Sequence, residues 1–221
     1  MSARLLALLV MIACCFTLIG ARVIWSGSLA YVFLVWNLVL AAVPVIAALW
    51  LHRVVEAHGS RLAEGLLIGT WLVFLPNAPY IATDLMHLRP RFFVPLWYDV
   101  AVLLSCAVTG IVFGYVSLAE VQLAMRRRIG ELGSWACAAM ALFLSAFGIY
   151  LGRFQRWNSW EILTDPGSLA MDVARRLLHP FSHVRAFAVT AVYGCALLAG
   201  YVVFRLLLVS DLRPQGRRSG G

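Results

Sequence analysis

The sequence predicts an all-α, polytopic integral membrane protein built as a bundle of six transmembrane helices. Of its 221 residues, 62% are hydrophobic and 13% are charged, whereas a soluble domain is about half apolar and about a quarter charged. The apolar residues concentrate in six runs, each long enough to cross a hydrocarbon core about 30 Å thick. The runs lack the two-residue alternation of membrane β-strands. A soluble domain, a disordered chain and a disulfide scaffold are therefore excluded.

The six runs form one predicted membrane domain that covers residues 1–209. Its helices are expected at residues 5–21, 29–51, 62–76, 95–118, 132–152 and 186–209. The first run is long for a signal-peptide core and no convincing small-x-small cleavage site follows it, so a retained helix is favoured over a cleaved one. Asn77-Ala78-Pro79 should break the third run, because proline removes a donor and restricts its predecessor. Residues 210–221 are rich in Arg, Gly and Pro and predict a disordered cytoplasmic tail.

The net charge of +8 comes from arginine, because the chain contains no lysine. The arginines lie in short loops beside the apolar runs, which indicates membrane topology and lipid head-group contact rather than nucleic-acid binding. The short-loop bias, strongest at Arg126-Arg127-Arg128, places both termini in the cytoplasm. All five cysteines fall inside apolar runs, so they are expected to pack between helices rather than form disulfides or a zinc site.

Small residues recur at four-residue spacing in four of the predicted helices. The pairs are Gly65/Gly69, Gly110/Gly114, Gly148/Gly152 and Ala196/Gly200. Such pairs let helix backbones approach closely in lipid, so they favour a compact bundle.

Polar side chains gather in three stretches, which are residues 75–88, 97–99 and 152–161. The first follows helix three, the second opens helix four and the third follows helix five. The number of crossings therefore places all three on one face of the membrane, whichever way the bundle is oriented. With cytoplasmic termini, this is the non-cytoplasmic face.

The first polar stretch predicts a short interfacial amphipathic helix. If residues 80–88 are helical, Tyr80, Thr83, Asp84 and His87 share one polar stripe. Asp84 and His87 are three residues apart and can touch, and a carboxylate that holds an imidazole is a familiar acid/base pair. The alternative is a solvated helix at the membrane surface.

Helical continuation through the third stretch would place Arg153, Arg156, Trp157 and Trp160 on one face. Guanidinium groups interleaved with indoles suit an anionic head group, a phosphate or a sugar. The alternative is an aromatic belt with snorkelling arginines. Further hydrogen-bonding capacity, more than a belt requires, comes from Asn158, Ser159 and Glu161.

Two more polar residues have a structural and a functional interpretation. Asp99 lies in the first turn of helix four, where its charge complements the helix dipole, and it belongs to a site only if the other stretches lie beside it. Asn37 is the clearest polar residue inside a span. It either bonds neighbouring helices together or forms the floor of a site.

A second interfacial helix is predicted between Asp165-Pro166, as N-cap and first helical residue, and His179. Its apolar stripe is Leu169, Val173 and Leu177, and its charged residues Asp172, Arg175 and Arg176 are expected to point elsewhere. His179 and His183 are four apart but are separated by a proline, so no metal site is expected there.

Five motifs together resemble one family. They are Trp36-Asn37, Leu75-Pro76-Asn77-Ala78-Pro79-Tyr80 with Thr83-Asp84 and His87, Trp97-Tyr98-Asp99, Gly148-Ile149-Tyr150-Leu151-Gly152-Arg153, and Arg156-Trp157-Asn158-Ser159-Trp160. With them, residues 28–209 resemble the bacterial membrane family catalogued as domain of unknown function 1361. Glu161 stands where that family is expected to carry aspartate. The resemblance implies a multipass bacterial membrane protein and implies no activity.

The residues predict an inner-membrane protein whose periplasmic polar cluster binds, processes or moves an anionic or sugar-bearing lipid head group. Asp84 and His87 are the candidate catalytic residues. Candidate ligand-binding residues are Asn37, Asn77, Tyr80, Asp99, Arg153, Arg156, Trp157, Asn158, Trp160 and Glu161. The sequence contains no nucleophile motif, phosphate loop or strong metal spacing, so no metal or cofactor is expected and whether any reaction is catalysed stays open.

The first alternative is a non-catalytic scaffold or assembly subunit of a membrane complex. A small transporter is less favoured, because transport normally needs polar groups at mid-depth. The spans are interrupted only by Asn37, Glu64 and Arg205. Membrane lipids are the expected partners, a membrane-protein partner or a second copy of the chain is the alternative, and nucleic acid is not expected.

Overall fold

The computed structural model describes residues 3–90, 93–157 and 161–210, which form helices joined by short connections and contain no β-strand. The long helices are α1 (Ala3–Ser26), α2 (Phe33–Glu56), α3 (Arg61–Phe74), α5 (Leu96–Phe154) and α8 (Val184–Ser210). Shorter elements are α4 (Asn77–Tyr80), a 3-10 helix (Ile81–His87), α6 (Glu161–Thr164), α7 (Pro166–Leu178) and a second 3-10 helix (Pro180–His183). Helix α5 packs against α2 and α8 and forms the centre of the bundle.

Within these residues, five helical stretches are long and apolar enough to cross a membrane. They are Arg4–Ser26, Phe33–Glu56, Arg61–His87, Leu96–Phe154 and Phe181–Leu207. The all-helical architecture is therefore compatible with the membrane bundle that the apolar runs predict. Helices α1 and α2 each extend five residues beyond their predicted ends at residues 21 and 51, whereas α2 begins four residues later and α3 ends two residues earlier than predicted.

Helix α5 is interrupted by a sharp change of direction. Its 59 residues would span about 88 Å if they were straight. At Gly130 the backbone takes φ 74° and ψ −178°, a conformation that glycine adopts readily because it has no Cβ. The two halves then pack against each other, with Leu118 and Val121 of the first half in one buried cluster with Ala138 of the second. The loop expected between predicted helices four and five is thus itself helical.

Helix α3 ends at Phe74, but the complete break expected at Asn77-Ala78-Pro79 does not occur. The chain passes through α4 directly into the 3-10 helix. Pro79 lies in the first turn of α4, where a helix needs no donor from the proline nitrogen. The amide of Tyr80 still donates to the carbonyl of Pro76 at 3.1 Å. Residues 77–87 therefore remain helical and continue the path of α3.

Two glycines of α5 bring this continuation into the bundle. A Cβ on Gly110 would lie 2.3 Å from the backbone oxygen of Ala78, and one on Gly148 would lie 2.6 Å from the side chain of Pro76. Helix α4 is thus held between the two halves of α5. By contrast, a Cβ on either glycine of the α3 pair would meet nothing within 4 Å. The predicted close approach occurs in α5 and is absent at the α3 pair.

Helix α7 begins as predicted, with the Asp165 side chain accepting a hydrogen bond from the Ser168 amide at 3.2 Å. The prediction that Arg176 points away is wrong. Arg176 is buried, forms an ion pair with Asp172 at 2.5 Å and lies 5.8 Å from the ring centroid of Tyr150. Burial raises the pKa of Asp172, but hydrogen bonds from Arg176 and from a tryptophan indole outweigh it and hold this pKa below its ordinary value.

Candidate functional site

A cavity of about 370 Å³ lies between the first half of α2, residues 76–87 and the end of α5. Its polar lining consists of Asn37, Asn77, Tyr80, Asp84, His87 and Arg153, and its aromatic lining adds Phe33, Trp36 and Trp157. Ligand sites typically combine aromatic walls with a few polar groups and have volumes of about 300–1,000 Å³. The cavity therefore has the composition of a small-molecule site.

The carboxylate of Asp84 lies at the centre of the polar lining. One oxygen accepts a hydrogen bond from Nη2 of Arg153 at 2.5 Å, and the other accepts one from Nδ2 of Asn37 at 2.8 Å. Nδ1 of His87 lies 3.9 Å from the first oxygen. The Asp84 side chain is only 2% exposed. The alternative of a solvated helix at the membrane surface is therefore wrong at Asp84, because the charge of this residue is buried against a guanidinium.

The guanidinium of Arg153 is hydrogen-bonded along its edge and packs against an aromatic ring with its face. Nε and Nη2 both donate to the hydroxyl of Thr83, at 2.9 and 2.6 Å, and the guanidinium carbon lies 4.4 Å from the ring centroid of Tyr80. This pairing joins the end of α5 to the 3-10 helix. Thr83 is not among the candidate ligand residues of the sequence analysis. Its position beside Asp84 on the predicted polar stripe could have identified it.

Asp99 does not line the cavity. Its carboxylate accepts hydrogen bonds from Nε and Nη2 of Arg22 at 2.7 and 3.3 Å, and both side chains are 1% exposed. Arg22 also lies 4.4 Å from the ring centroid of Tyr31. Arg22 directly follows the first apolar run and is not among the candidate site residues of the sequence analysis. The useful signal was its position, since the end of helix one and the start of helix four lie at the same face.

The helical continuation predicted beyond Phe154 is wrong. Helix α5 ends there, and Arg156 takes φ 63°, the left-handed conformation that commonly terminates a helix. The side chain of Arg156 is exposed and is not among those that line the cavity. Trp157 does line it, and its Nε1 donates to Asp172 of α7 at 2.9 Å.

The remaining candidate residues are distributed differently. Asn77 lines the cavity, and its Nδ2 donates to the carbonyl of Phe74 at 3.1 Å. Glu161 begins helix α6 and is not part of the cavity lining. Asn158 and Trp160 lie outside the described residues.

A family model described as "Protein of unknown function (DUF1361)" matches residues 36–199. The chain belongs to this family. The match confirms the resemblance derived from the motifs and includes the whole polar lining of the cavity. No curated protein matches this DUF1361 chain, and no solved structure does.

The chemistry available to this DUF1361 cavity follows from its charges. Arg153 and Asp84 compensate each other, so the centre of the polar lining is close to neutral. The side chain of His87 is 47% exposed, and its imidazole can form hydrogen bonds with a ligand in the cavity. No group of three or more His, Cys, Asp or Glu side chains that could hold a metal ion occurs among the described residues.

Proposed function

We propose that this protein binds the sugar-bearing head group of a lipid in the cavity around Asp84 and Arg153. The observation that carries the proposal is the neutral ion pair within an aromatic-walled cavity. The hydroxyl groups of a sugar can both donate hydrogen bonds to and accept them from the amide, imidazole and phenol groups that line the cavity. The aromatic side chains supply the apolar surfaces against which a head group can pack.

The same ion pair argues against an anionic head group in this cavity. Nε and Nη2 of Arg153 already donate to Asp84 and Thr83. An added anion would compete with a buried carboxylate for that guanidinium and would lie beside its negative charge. A neutral, hydroxyl-rich group would neither compete with Asp84 for the guanidinium nor be repelled by the carboxylate. The structure therefore favours the sugar-bearing alternative of the two that the sequence leaves open.

Any proton transfer in this cavity falls to His87. Both carboxylate oxygens of Asp84 already accept hydrogen bonds, from Arg153 and Asn37, whereas the side chain of His87 is 47% exposed. Its position 3.9 Å from Nδ1 of His87 suits it to orient the imidazole. In the proposal, Asp84 is a positioning residue and His87 is the group that exchanges a proton with a bound ligand.

We place the protein in the bacterial inner membrane with six crossings, counting both halves of α5, and with cytoplasmic termini. This is the arrangement that short-loop arginines favour. Reporter fusions after Arg128 and Ser219 should be active in the cytoplasm, and fusions after Arg91 and Ser168 should be active in the periplasm. A periplasmic signal after Arg128 would show that the orientation is reversed, but it would not affect the description of the cavity or of the turn at Gly130.

Binding should be selective for a glycolipid. In a sugar-free detergent, glucosyl diacylglycerol should raise the melting temperature of the protein more than phosphatidylglycerol with the same chains does. Replacing Trp36, which is exposed at the cavity, by alanine should weaken glucosyl diacylglycerol binding about tenfold, because an apolar contact surface is lost. The measurement is a titration of melting temperature against lipid concentration.

The matched control is Trp97→Ala, which removes an exposed indole outside the cavity and should leave binding unchanged. Preference for phosphatidylglycerol, or equal weakening by both substitutions, would disprove head-group binding in this cavity. If W36A binds as wild type but cellular function falls only with protein abundance, the scaffold alternative gains support instead.

A further inference from the structure

A second cavity lies at the other end of α2. It has a volume of about 760 Å³ and is formed by α1, α2 and the first half of α5. Along α2, the polar cavity contacts Asn37 and the second cavity contacts Arg53. Sixteen helical residues separate these positions by about 24 Å. The polar ends of the two cavities therefore lie towards opposite faces of a bilayer about 30 Å thick.

The wall of this second cavity is apolar and its rim is charged. The wall contains Leu8, Val45, Leu49 and Val116. The charged and polar rim consists of Arg4, Arg53, His52 and Glu120. An apolar surface that ends at basic side chains matches the two parts of a phospholipid, whose chains lie in the hydrocarbon region and whose phosphate lies at the interface.

The rim has an excess of positive charge. Arg4 lies 3.3 Å from Glu120, and its side chain is 64% exposed, so this single carboxylate leaves its guanidinium accessible. Arg53 is exposed in the last turn of α2, with its guanidinium carbon 5.6 Å from the ring centroid of Trp50. Trp50 is itself exposed, as expected for an indole at the membrane interface. Among the lining residues, two arginines thus face one carboxylate, and Glu56, outside the lining, lies 3.1 Å from His52.

We propose that this second cavity binds one anionic glycerophospholipid, with its phosphate between Arg4 and Arg53 and an acyl chain along the apolar wall. The charge of the rim selects this occupant. The terminal segment of the chain carries Arg213, Arg217 and Arg218 and would be repelled by the same rim. A zwitterionic lipid would fill the wall but would bring no net charge to the excess arginine.

The test is native mass spectrometry of the delipidated full-length protein with phosphatidylglycerol or with phosphatidylcholine of identical chains. Phosphatidylglycerol should bind more tightly. Arg4→Ala and Arg53→Ala should each weaken its binding about fivefold, and should change phosphatidylcholine binding less. Glu120→Gln should tighten phosphatidylglycerol binding, because Arg4 then loses its competing partner.

The matched charge control is Arg61→Ala, which removes an exposed arginine at the same end of the bundle but outside the cavity. Leu49→Trp should fill the wall and weaken both lipids, whereas Leu66→Trp, at an exposed position elsewhere, should not. Soluble glycerol phosphate should not compete, because it lacks the acyl chain. Equal binding of the two lipids, or equal weakening by R61A and R53A, would overturn the proposal.

Discussion

Replacing Arg22 by alanine is expected to lower the free energy of unfolding by about 3–5 kcal/mol, because it leaves the Asp99 carboxylate buried without a partner. Both side chains are 1% exposed and are joined at 2.7 Å. The guanidinium also covers the ring of Tyr31, so the substitution removes packing as well as charge. The measurement is reversible unfolding in detergent, with protein abundance in the membrane as a second readout.

The control for Arg22 is Arg156→Ala, which removes an exposed arginine and should change stability by less than about 0.5 kcal/mol. The double variant R22M/D99N leaves no buried charge unpaired. It should therefore lose less stability than the sum of the two single substitutions. Wild-type stability in R22A would show that water or another group neutralises Asp99.

Asp84→Asn should also reduce stability by about 3–5 kcal/mol, since it leaves Arg153 without a counter-charge in a largely buried position. The side chain of Arg153 is 11% exposed, and its remaining contacts are to Thr83 and Tyr80. In the proposed function Asp84 orients His87, so the variant should bind glucosyl diacylglycerol less tightly than wild type. Unfolding and lipid titration are therefore measured on the same preparation.

Two further variants separate the structural role of this pair from its role at the cavity. Arg153→Lys retains the charge but loses the planar group that bonds Asp84 and Thr83 together, so we expect an intermediate loss of stability. D84N/R153Q carries no charge and should recover part of the stability lost in D84N. Recovered stability with no recovery of lipid binding would support a role of the ion pair in the cavity. Full stability in D84N would contradict its burial against Arg153.

The sequence predicted which face of the bundle would carry the cavity. The count of apolar runs placed the three polar stretches on one side, and the spacing of Tyr80, Thr83, Asp84 and His87 put them on one stripe. Both arguments depend on local periodicity and chain topology, which a single sequence contains. Asn37 lies inside a span where unpaired polar groups are costly. Its polarity therefore indicated a partner, and the structure supplies Asp84.

Pairing between distant residues was not predictable in the same way. Several arginines lie at one face, and the choice of Arg22 for Asp99 depends on α1 packing beside α5. The end of α5 was missed for another reason. Arg156 continues the helical spacing of the sequence, but its backbone is left-handed and turns its side chain away from the cavity. A glycine at this position would have indicated a left-handed turn, but the residue there is an arginine.

Because α4 is held between the two halves of α5, one wall of the polar cavity is more rigid than the other. One wall, with Asp84 and Arg153, is fixed where Gly110 meets the carbonyl of Ala78 and Gly148 meets the ring of Pro76, and neither contact leaves room for a methyl group. The opposite wall belongs to the first half of α2, which is followed by Pro44 inside the helix. Proline removes a helical hydrogen bond and is a common point of bending. Widening of the cavity to admit a head group is therefore expected to occur by displacement of the α2 wall, which breaks the Asn37–Asp84 hydrogen bond while the ion pair stays in place.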